Sequence, residues 1–482
     1  MSYIKKNYLF NLLLTVVNLI FPILSFPYAA RILGPAGIGK VQFITSFTQY
    51  FALIAALGIP VYGIREIAKV KNQSKKLDQT FSELTFISIL TSALLSIIYL
   101  IVIATLTRFQ RDINFYFAAT TIILFGFCSI DWFYSGIEQF KIIALRSVSI
   151  KAISLILLYL LVKTPHDIFI YLLINVFALV GNNFINIFLV GKKVNLVTKG
   201  LNFKRHYRPL FFIFSTTIAS SMYTLLDVVI LGFLANDKSV GYYSAGVKLA
   251  KITIPFVTSL GAVVMPRISF NLNEKNLEGF YSLLNQSFQF ITFISVPISF
   301  GLLLLSKEAI ILFSGNKFLP AEGVMQILSF LPFVIGMGYF FGIQILIASG
   351  KDKQMFISVC VGMIVSLALN FLLIPAFKEE GAAYANIISE VFVTFAYIFY
   401  VNKAFEFKIK ISGIFQAVIS SLTFIPVIFI SKLFIHQMIV QLLADVIICA
   451  LFYLAIQFYL FKNEVSQVVY NMFISYKKNI FS

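Results

Sequence analysis

The sequence is poor in charged residues. Asp, Glu, Lys and Arg together make up 12% of its 482 residues, whereas hydrophobic residues make up 59%. A soluble globular protein usually has about 25% charged residues, so these charges are too few to give a chain of this length a water-soluble surface. The composition therefore excludes a soluble enzyme, a nucleic-acid-binding protein and a disordered protein, and it predicts a polytopic membrane protein.

Cysteine and histidine are also scarce. The three cysteines, Cys128, Cys360 and Cys449, lie inside apolar stretches, which is typical of small buried side chains rather than of a disulfide framework. The three histidines are far apart, so no zinc site is predicted. The sequence also lacks a Gly-rich nucleotide-binding loop and a catalytic constellation. We therefore expect no metal, no organic cofactor and no enzymatic activity.

Apolar runs long enough to cross a bilayer recur along the whole chain. A membrane-spanning helix needs about 20 apolar residues, and continuous runs of this length exclude a transmembrane barrel. We predict fourteen transmembrane helices, at 8–30, 41–63, 83–106, 113–135, 143–163, 168–190, 210–234, 241–265, 287–306, 324–348, 354–376, 381–402, 411–432 and 437–461. The connecting segments are too short to fold as a separate domain.

The distribution of Lys and Arg predicts the orientation of these helices. If both termini are cytoplasmic, 25 of the basic residues fall in cytoplasmic segments and 10 in outer segments, as the positive-inside rule requires. The net charge of +18 is therefore explained largely by orientation and lipid contact, and we expect no nucleic-acid partner.

Two outer loops indicate an internal repeat. Residues 31–41 (RILGPAGIGKV) and 231–243 (LGFLANDKSVGYY) each follow the first helix of a set of six. Such a parallel repeat of two bundles is typical of transporters that rock around a central site. We predict four parts: an N-terminal six-helix lobe (1–190), a cytoplasmic basic linker (191–209), a C-terminal six-helix lobe (210–405), and two extra transmembrane helices with a cytoplasmic tail (406–482).

Lysines inside the predicted helices are candidates for a functional site, because an ionisable residue near the membrane centre costs about 2.5–3.5 kcal/mol. Lys248 and Lys251 are three residues apart on one face of a helix, roughly 12–16 Å from its start. They either line a hydrated cavity or form a structural ion pair, for which Asp227 is the preferred partner. Lys151 is the corresponding cation of the first half.

Other ionisable residues leave more than one interpretation open. Glu390 and Asp445 are carboxylates deep in predicted helices, and either they bind H⁺ or Na⁺ or they pair with a lysine. Arg31 and Arg65 lie at helix ends, where long basic side chains are able to reach the interface.

Polar side chains form stripes at helical spacing on three of the predicted helices. They are Asn11, Thr15, Asn18 and Ser25 in the first helix, Gln42, Thr45, Ser46 and Gln49 in the second, and Thr216, Ser220 and Asp227 in the seventh. Amides and hydroxyls do not favour lipid, so these stripes face other helices or water. The two interpretations are contacts between helices and a wet cavity that forms hydrogen bonds with a polyhydroxylated ligand.

Several segments resemble the Wzx-type oligosaccharide flippases of the multidrug/oligosaccharidyl-lipid/polysaccharide exporter superfamily. They are YAARILGPAGIGKVQF (28–43), YGIREIAK (62–69), DWFYSGIEQFKIIALRS (131–147), VGYYSAGVK (240–248), LIASGKDK (346–353) and GAAYANIISE (381–390). The resemblance covers essentially the whole chain. It implies an all-α polytopic membrane protein with two six-helix lobes in a V and two extra C-terminal helices.

The resemblance also implies a function. Such proteins move undecaprenyl-diphosphate-linked oligosaccharide repeat units from the inner to the outer leaflet of the bacterial cytoplasmic (inner) membrane by alternating access, for the assembly of O-antigen and other surface polysaccharides. A cationic cavity attracts the diphosphate, and the matching candidates here are Arg31, Arg65, Arg146, Lys248 and Lys251, with Lys151 added from its depth. The polar lining candidates are Asn11, Asn18, Gln42, Gln49 and Asp227. Asp131 and Glu138 are gating candidates at the cytoplasmic mouth.

The expected partners are the glycan lipid and the bilayer, with a polysaccharide polymerase and a chain-length regulator as further candidates, and the protein is expected to work as a monomer. Outward movement of anionic charge is downhill by about 2.3 kcal/mol per charge per 100 mV, so coupling to H⁺ or Na⁺ is optional. One alternative is a cation-coupled multidrug exporter of the same superfamily, which should have an acidic and aromatic cavity. The other is a membrane-embedded polysaccharide polymerase, which should have long outer loops with catalytic Arg or His.

Overall fold

The computed structural model describes residues 3–191, 193–405 and 411–467, and within these ranges the regular structure is helical throughout. In these ranges, eleven helical stretches are long and apolar enough to cross a membrane. Helices are the expected form of such segments, because each satisfies its own backbone hydrogen bonds in lipid. The predicted all-α polytopic fold is therefore confirmed, while the count of fourteen membrane helices stays a prediction.

The helices form two compact units that divide between Gly241 and Tyr242. The helices of the first unit are α1 (Tyr3–Ala56), α2 (Ile59–Val70), α3 (Ser74–Thr105), α4 (Thr107–Gln110), α5 (Ile113–Leu124), α6 (Asp131–Gly136), α7 (Phe140–Leu161), α8 (Ile168–Val190) and α9 (Lys204–Leu234). A short 3₁₀ turn, Phe125–Cys128, connects α5 towards α6.

The second unit begins within α10 (Asp237–Ile252). Its other α-helices are α11 (Ile254–Asn273), α12 (Leu277–Leu304), α13 (Ser306–Ser314), α14 (Ala321–Leu328), α15 (Leu331–Gly338), α16 (Asp352–Ala404), α17 (Ser412–Leu422), α18 (Phe424–Phe434) and α19 (Met438–Ala455). Two π-helical segments, Tyr339–Ile347 and Ile456–Leu460, follow α15 and α19. The predicted four-part division stays a prediction, and residues 406–410 and the tail after residue 467 lie outside the described residues.

Two of the long helices bend where one residue leaves the helical conformation. In α1, Gly34 has φ 68° and ψ 179°, a conformation that glycine adopts without a steric penalty, and Pro35 follows it. In α16, Lys378 has φ 49°. Each bend separates two of the predicted membrane runs, so two predicted helices appear as one kinked helix in both places.

Two other predicted runs are broken by proline. The run at 241–265 is divided into α10 and α11, with Pro255 in the first turn of α11. The run at 324–348 is divided in the same way, with Pro332 in the first turn of α15. Proline is favoured at this position because the first turn needs no N–H donor from it. The hydropathy of the run does not reveal such a break, and proline alone does not predict it either, since Pro22, Pro27 and Pro297 lie inside continuous helical segments.

Close packing at two glycines places α2 against α6. A Cβ atom on Gly63 would lie 2.5 Å from the ring of Trp132, and one on Gly136 would lie 2.7 Å from Ile67. The Trp132 ring also stacks on Phe81 of α3, with ring centroids 5.7 Å apart. These contacts build a buried core that fixes the ends of α2, α3 and α6 around the polar groups described below.

The end of α9 is held by Arg108 of α4. Its guanidinium donates hydrogen bonds to the carbonyl oxygens of Gly232 and Phe233, which are among the carbonyls that a helix end leaves without intrahelical partners. The same guanidinium lies over the rings of Phe43 and Phe233. Helix α9 is thus attached to α1 and α4 of the first unit.

In the second unit, the last helices pack on α12. The hydroxyl of Tyr453 donates a hydrogen bond to the carbonyl oxygen of Phe293 at 2.9 Å, and the two ring centroids are 5.3 Å apart. Phe424 and Cys449 belong to the same buried apolar core. The helices of the predicted C-terminal appendage are therefore a packed part of this unit.

Candidate functional site

Arg146 and Asp131 form an ion pair in the first unit. Nη2 of Arg146 lies 2.5 Å from Oδ1 of Asp131, and Nε donates to the amide oxygen of Asn182 at 3.2 Å. Asn186 donates to the same Asp131 oxygen at 3.3 Å. The Arg146 side chain is 3% exposed and that of Asp131 is 48% exposed. The structure thus joins a predicted substrate-binding cation to a predicted gating carboxylate, so the two roles are not independent.

The second terminal nitrogen of the Arg146 guanidinium is not part of these contacts. Among the described residues, Nη1 of Arg146 has no hydrogen-bond partner and is buried. The same is true of Oδ1 of Asn186 and of the Tyr134 hydroxyl. Buried polar atoms are nearly always satisfied by protein or water, so this cluster is able to accept a further polar group.

Lys151 contacts neutral groups. Its Nζ donates a hydrogen bond to the amide oxygen of Asn18 on α1, and it lies 5.8 Å from the centroid of the Phe21 ring. Lys151 is on α7, and its side chain is half-buried, whereas Asn18 is exposed. Neither the Asn18 amide nor the Phe21 ring carries a negative charge that would compensate the ammonium. This position is therefore able to attract an anion.

Arg31 and Arg65 are both exposed. Arg31 donates to the carbonyl oxygen of Pro27 within α1 at 2.9 Å. Arg65, on α2, pairs with Glu66 at 3.2 Å and lies 5.3 Å from the centroid of the Tyr62 ring. An exposed ion pair of this kind contributes little to stability, so Arg65 remains able to bind another anion.

The predicted polar lining divides between exposed and enclosed positions. Asn11 is exposed on α1, and Gln42 donates to the hydroxyl of Ser46 at 3.2 Å. Gln49 lines a cavity of about 210 Å³ within the first unit. The polar and aromatic groups that line this cavity with Gln49 are Ser88, Ser92, Ser129, Asn183 and Trp132. Because these polar groups are uncharged, the cavity suits hydroxyl groups better than ions.

The remaining candidates are distributed over both units. Asp227 is buried in α9 of the first unit, whereas Lys248 and Lys251 are half-buried on α10 in the second unit. Glu390 is half-buried in α16. Glu138, which has φ 60°, pairs with Lys71 at 2.6 Å.

Asp445 is fully buried in α19. Its Oδ2 accepts a hydrogen bond from Gln441 that is 3.4 Å long, and among the described residues its Oδ1 has no hydrogen-bond partner. A carboxyl group in this position fits the predicted binding of H⁺ or Na⁺.

Two cavities of the second unit are apolar. One, of about 510 Å³, is lined mainly by Phe288, Phe333, Met337, Phe341 and Phe395. The other, of about 470 Å³, lies between α12 and the C-terminal helices and includes Pro297, Phe424 and Tyr453. Hydrocarbon chains are the ligands that such surfaces favour.

A buried carboxylate that was not among the predicted site residues accepts several hydrogen bonds. Glu83 of α3 is fully buried and accepts hydrogen bonds from Arg205 and from Nε2 of His206, at 2.5 Å and 2.7 Å. The sequence gives one weak signal for it, a carboxylate at the start of a long apolar run. Arg205 and His206 are more than 120 residues away from Glu83, and spacing along the chain does not reveal them.

Comparison with known proteins gives matches over most of the chain. Residues 4–271 match the family described as polysaccharide biosynthesis protein, and residues 213–372 match the MatE family. A putative O-antigen transporter from Escherichia coli (strain K12) is 26% identical over 410 residues, which are 83% of this chain and 97% of that protein.

Two solved structures share the fold. The lipid II flippase MurJ in an inward closed conformation has a TM-score of 0.76 and 18% identity, over 94% of this chain and 99% of that one. An inward-facing multidrug resistance MATE family transporter of the MOP superfamily has a TM-score of 0.65 and 12% identity, over 81% of this chain and 94% of that one.

Proposed function

Because the chain belongs to the polysaccharide biosynthesis protein family, we propose that it flips lipid-linked glycans. The proposed substrate is an oligosaccharide unit on undecaprenyl diphosphate. The protein moves it from the inner to the outer leaflet of the bacterial cytoplasmic membrane by alternating access. The predicted resemblance to Wzx-type flippases is confirmed by this membership. The relatives named above are transporters, which supports transport rather than enzymatic catalysis.

The contacts of Lys151 carry the proposal. Its ammonium lies in a membrane-spanning helix against the amide of Asn18 and the ring of Phe21. A positive charge held by neutral groups attracts a diphosphate and repels a cationic drug. We propose that Arg31, Arg65, Arg146, Lys248 and Lys251 also bind the anionic head group during transport.

The neutral cavity of the first unit supports the glycan part of the proposal. Each sugar hydroxyl that enters hydrocarbon without a hydrogen bond costs a few kcal/mol. Uncharged amides and hydroxyls such as Gln49, Ser92 and Asn183 are able to form hydrogen bonds with these sugar hydroxyls. Because they carry no charge, they do not favour a charged sugar over a neutral one. The apolar cavities of the second unit are suited to the isoprenoid chain, which stays in an apolar environment throughout.

We propose that the protein acts as a monomer with both termini in the cytoplasm and passes its product to a polymerase and a chain-length regulator. Coupling to H⁺ or Na⁺ through Glu390 or Asp445 is an optional addition, because the membrane potential alone favours outward movement of the anionic head group.

Deletion of the gene tests the proposal. The lipid-linked repeat unit should accumulate on the inner leaflet, measured by lipid extraction and by its protection from an external glycosidase, and surface polysaccharide should be lost. Complementation with Lys151→Met should restore transport at least tenfold less well than complementation with Lys151→Arg, which keeps the charge. Unchanged surface polysaccharide without lipid accumulation contradicts the proposal.

The match of residues 213–372 to the MatE family favours one second candidate, a multidrug exporter. Under that alternative, the deletion strain becomes more sensitive to cationic drugs while its surface polysaccharide is normal. We expect instead that the deletion strain does not become more sensitive to cationic drugs and that it loses its surface polysaccharide.

A further inference from the structure

The segment between α8 and α9 is bound along its length to the first turns of α3. The backbone N–H groups of Asn195, Val197 and Asn202 donate to the side chains of Asp78, Ser82 and Glu83, at 3.0, 2.8 and 2.7 Å. Gln79 donates to the carbonyl oxygen of Gly200 at 2.8 Å. Irregular backbone needs partners for its polar groups, and here one face of α3 supplies them. We call this face, Asp78–Glu83, the linker clamp.

Glu83 is the buried centre of the linker clamp. Its carboxylate accepts hydrogen bonds from both Nε and Nη2 of Arg205, at 2.8 and 2.5 Å. It also accepts from Gln79 at 2.9 Å and from His206 at 2.7 Å. A buried carboxylate is stable only when its charge is paired and its oxygens are hydrogen-bonded. The start of α9 supplies the charge, so docking of the linker and burial of Glu83 require each other.

His206 connects the linker clamp to α2. The Glu83 carboxylate only accepts hydrogen bonds, so Nε2 of His206 is the protonated nitrogen of the neutral ring. Nδ1 then accepts the hydroxyl proton of Tyr62, at 2.8 Å. Tyr62 is buried, and its ring lies 5.3 Å from the guanidinium carbon of Arg65. A continuous series of contacts thus runs from Glu83 through His206 and Tyr62 to Arg65.

We propose that Glu83 and His206 are positioning residues that fix the Tyr62 ring and through it orient Arg65 towards the diphosphate of the substrate. This inference rests on the proposed function, in which Arg65 binds that group. When the linker leaves α3, the first turn of α9 that carries His206 moves with it, Tyr62 loses its hydrogen bond, and Arg65 loses an anchored ring surface. Linker docking and orientation of Arg65 are therefore one event.

The proposal implies that acid weakens the arrangement. The titratable groups that face His206 are Glu83 on α3, Arg205 on α9, and Glu66 and Tyr62 on α2. Burial lowers the pKa of His206 below its ordinary value, although Glu83 opposes this. Protonation would place a hydrogen on Nδ1 and force the Tyr62 hydroxyl to turn from donor to acceptor.

The first measurement uses undecaprenyl diphosphate as the probe and the full-length protein in detergent. We expect Tyr62→Phe and His206→Leu to weaken binding about tenfold, as Arg65→Met does, and the double variant Arg65→Met with His206→Leu to bind no more weakly than either single variant. His206→Gln, whose amide is able both to donate and to accept, should restore binding and abolish its loss between pH 7.5 and pH 5.5. Lys151→Met is the matched control, whose effect should add to that of His206→Leu.

The second measurement needs no ligand. The rate at which phenylglyoxal modifies Arg65, followed by peptide mass spectrometry, should rise severalfold in Tyr62→Phe and His206→Leu, while the rate at Arg31 stays constant. Unchanged Arg65 labelling in well-folded variants, or effects of His206→Leu and Arg65→Met that add, overturns the inference. If labelling responds as expected but the wild-type protein does not bind undecaprenyl diphosphate, the proposed function fails and the positioning of Arg65 by Tyr62 stands.

Discussion

The guanidinium of Arg146 is bound to the carboxylate of Asp131, with Nη2 and Oδ1 2.5 Å apart. Fifteen residues of sequence separate the two, yet the start of α6 and the first half of α7 bring them into contact. Arg146 is buried and Asp131 is half-exposed. The pair therefore combines a cation that is shielded from water with a carboxylate that reaches solvent.

Breaking this pair from one side should destabilise the protein. Asp131→Leu leaves Arg146 buried without its counter-charge, and we expect a loss of about 1–3 kcal/mol, measured as a lower unfolding temperature in detergent. Asp131→Asn keeps an acceptor oxygen and should lose less. The double variant Asp131→Leu with Arg146→Met should recover part of the loss. If the losses simply add, the ion pair has no role in stability.

Adding a methyl group at Gly63 should disturb the cavity of the first unit. The new Cβ would lie 2.5 Å from the Trp132 ring, and overpacking of this kind costs about 1–3 kcal/mol. Trp132 is the single tryptophan of the chain, so a shift of intrinsic fluorescence reports on this site directly.

Gly301→Ala is the control for Gly63→Ala. No atom lies within 4 Å of a Cβ atom at Gly301, which is also in a helix. Alanine there should be neutral or stabilising by up to about 1 kcal/mol, with unchanged fluorescence. Equal effects of the two substitutions would contradict the packing role of Gly63.

Replacing the carboxyl group of Asp445 tests whether this residue binds H⁺ or Na⁺. Asp445 is fully buried, and its described hydrogen bond to Gln441 is long. Asp445→Asn removes the cost of burying an ionisable group, so we expect stability to rise by about 1 kcal/mol. Transport in vesicles with an imposed pH or Na⁺ gradient decides its role: if Asp445→Asn transports normally but no longer responds to the gradient, Asp445 is the coupling site.

His206 should make stability depend on pH. The ordinary pKa of histidine is about 6.5, and burial lowers the pKa of His206 in the folded protein. Its contribution to stability is therefore complete above about pH 6.5 and is lost as the pH falls below that value. The unfolding temperature of the wild type should fall between pH 7.5 and pH 5.5, and His206→Gln should show a smaller fall. An equal fall in both proteins contradicts this assignment.

The sequence was sufficient to predict the fold class because the bilayer imposes it. Apolar runs of about 20 residues have one stable form in lipid, and each predicted run is mainly helical, although the run at 113–135 is interrupted at Ser129 and Ile130. Where the helices bend or break depends on single residues, such as Gly34 and Pro255, so hydropathy alone placed the helices but not their interruptions.

The partners of the charged residues were harder to predict. The depth of Lys151 followed from its position in a run, but its contact with Asn18 joins residues 133 positions apart. The same holds for Glu83 and His206, which are 123 positions apart. These pairs depend on how helices pack against one another, and neither periodicity nor composition contains that information.

The attachment of α9 by Arg108 has a consequence for how the chain tolerates a cut. Helix α9 follows the linker in sequence, yet it packs with the first unit. If the backbone were severed between residues 193 and 203, the downstream fragment would still contribute a helix to the upstream one. Two separately synthesised fragments divided at that point should therefore assemble into an active protein, whereas a division after α9 would leave the fragments without this shared helix.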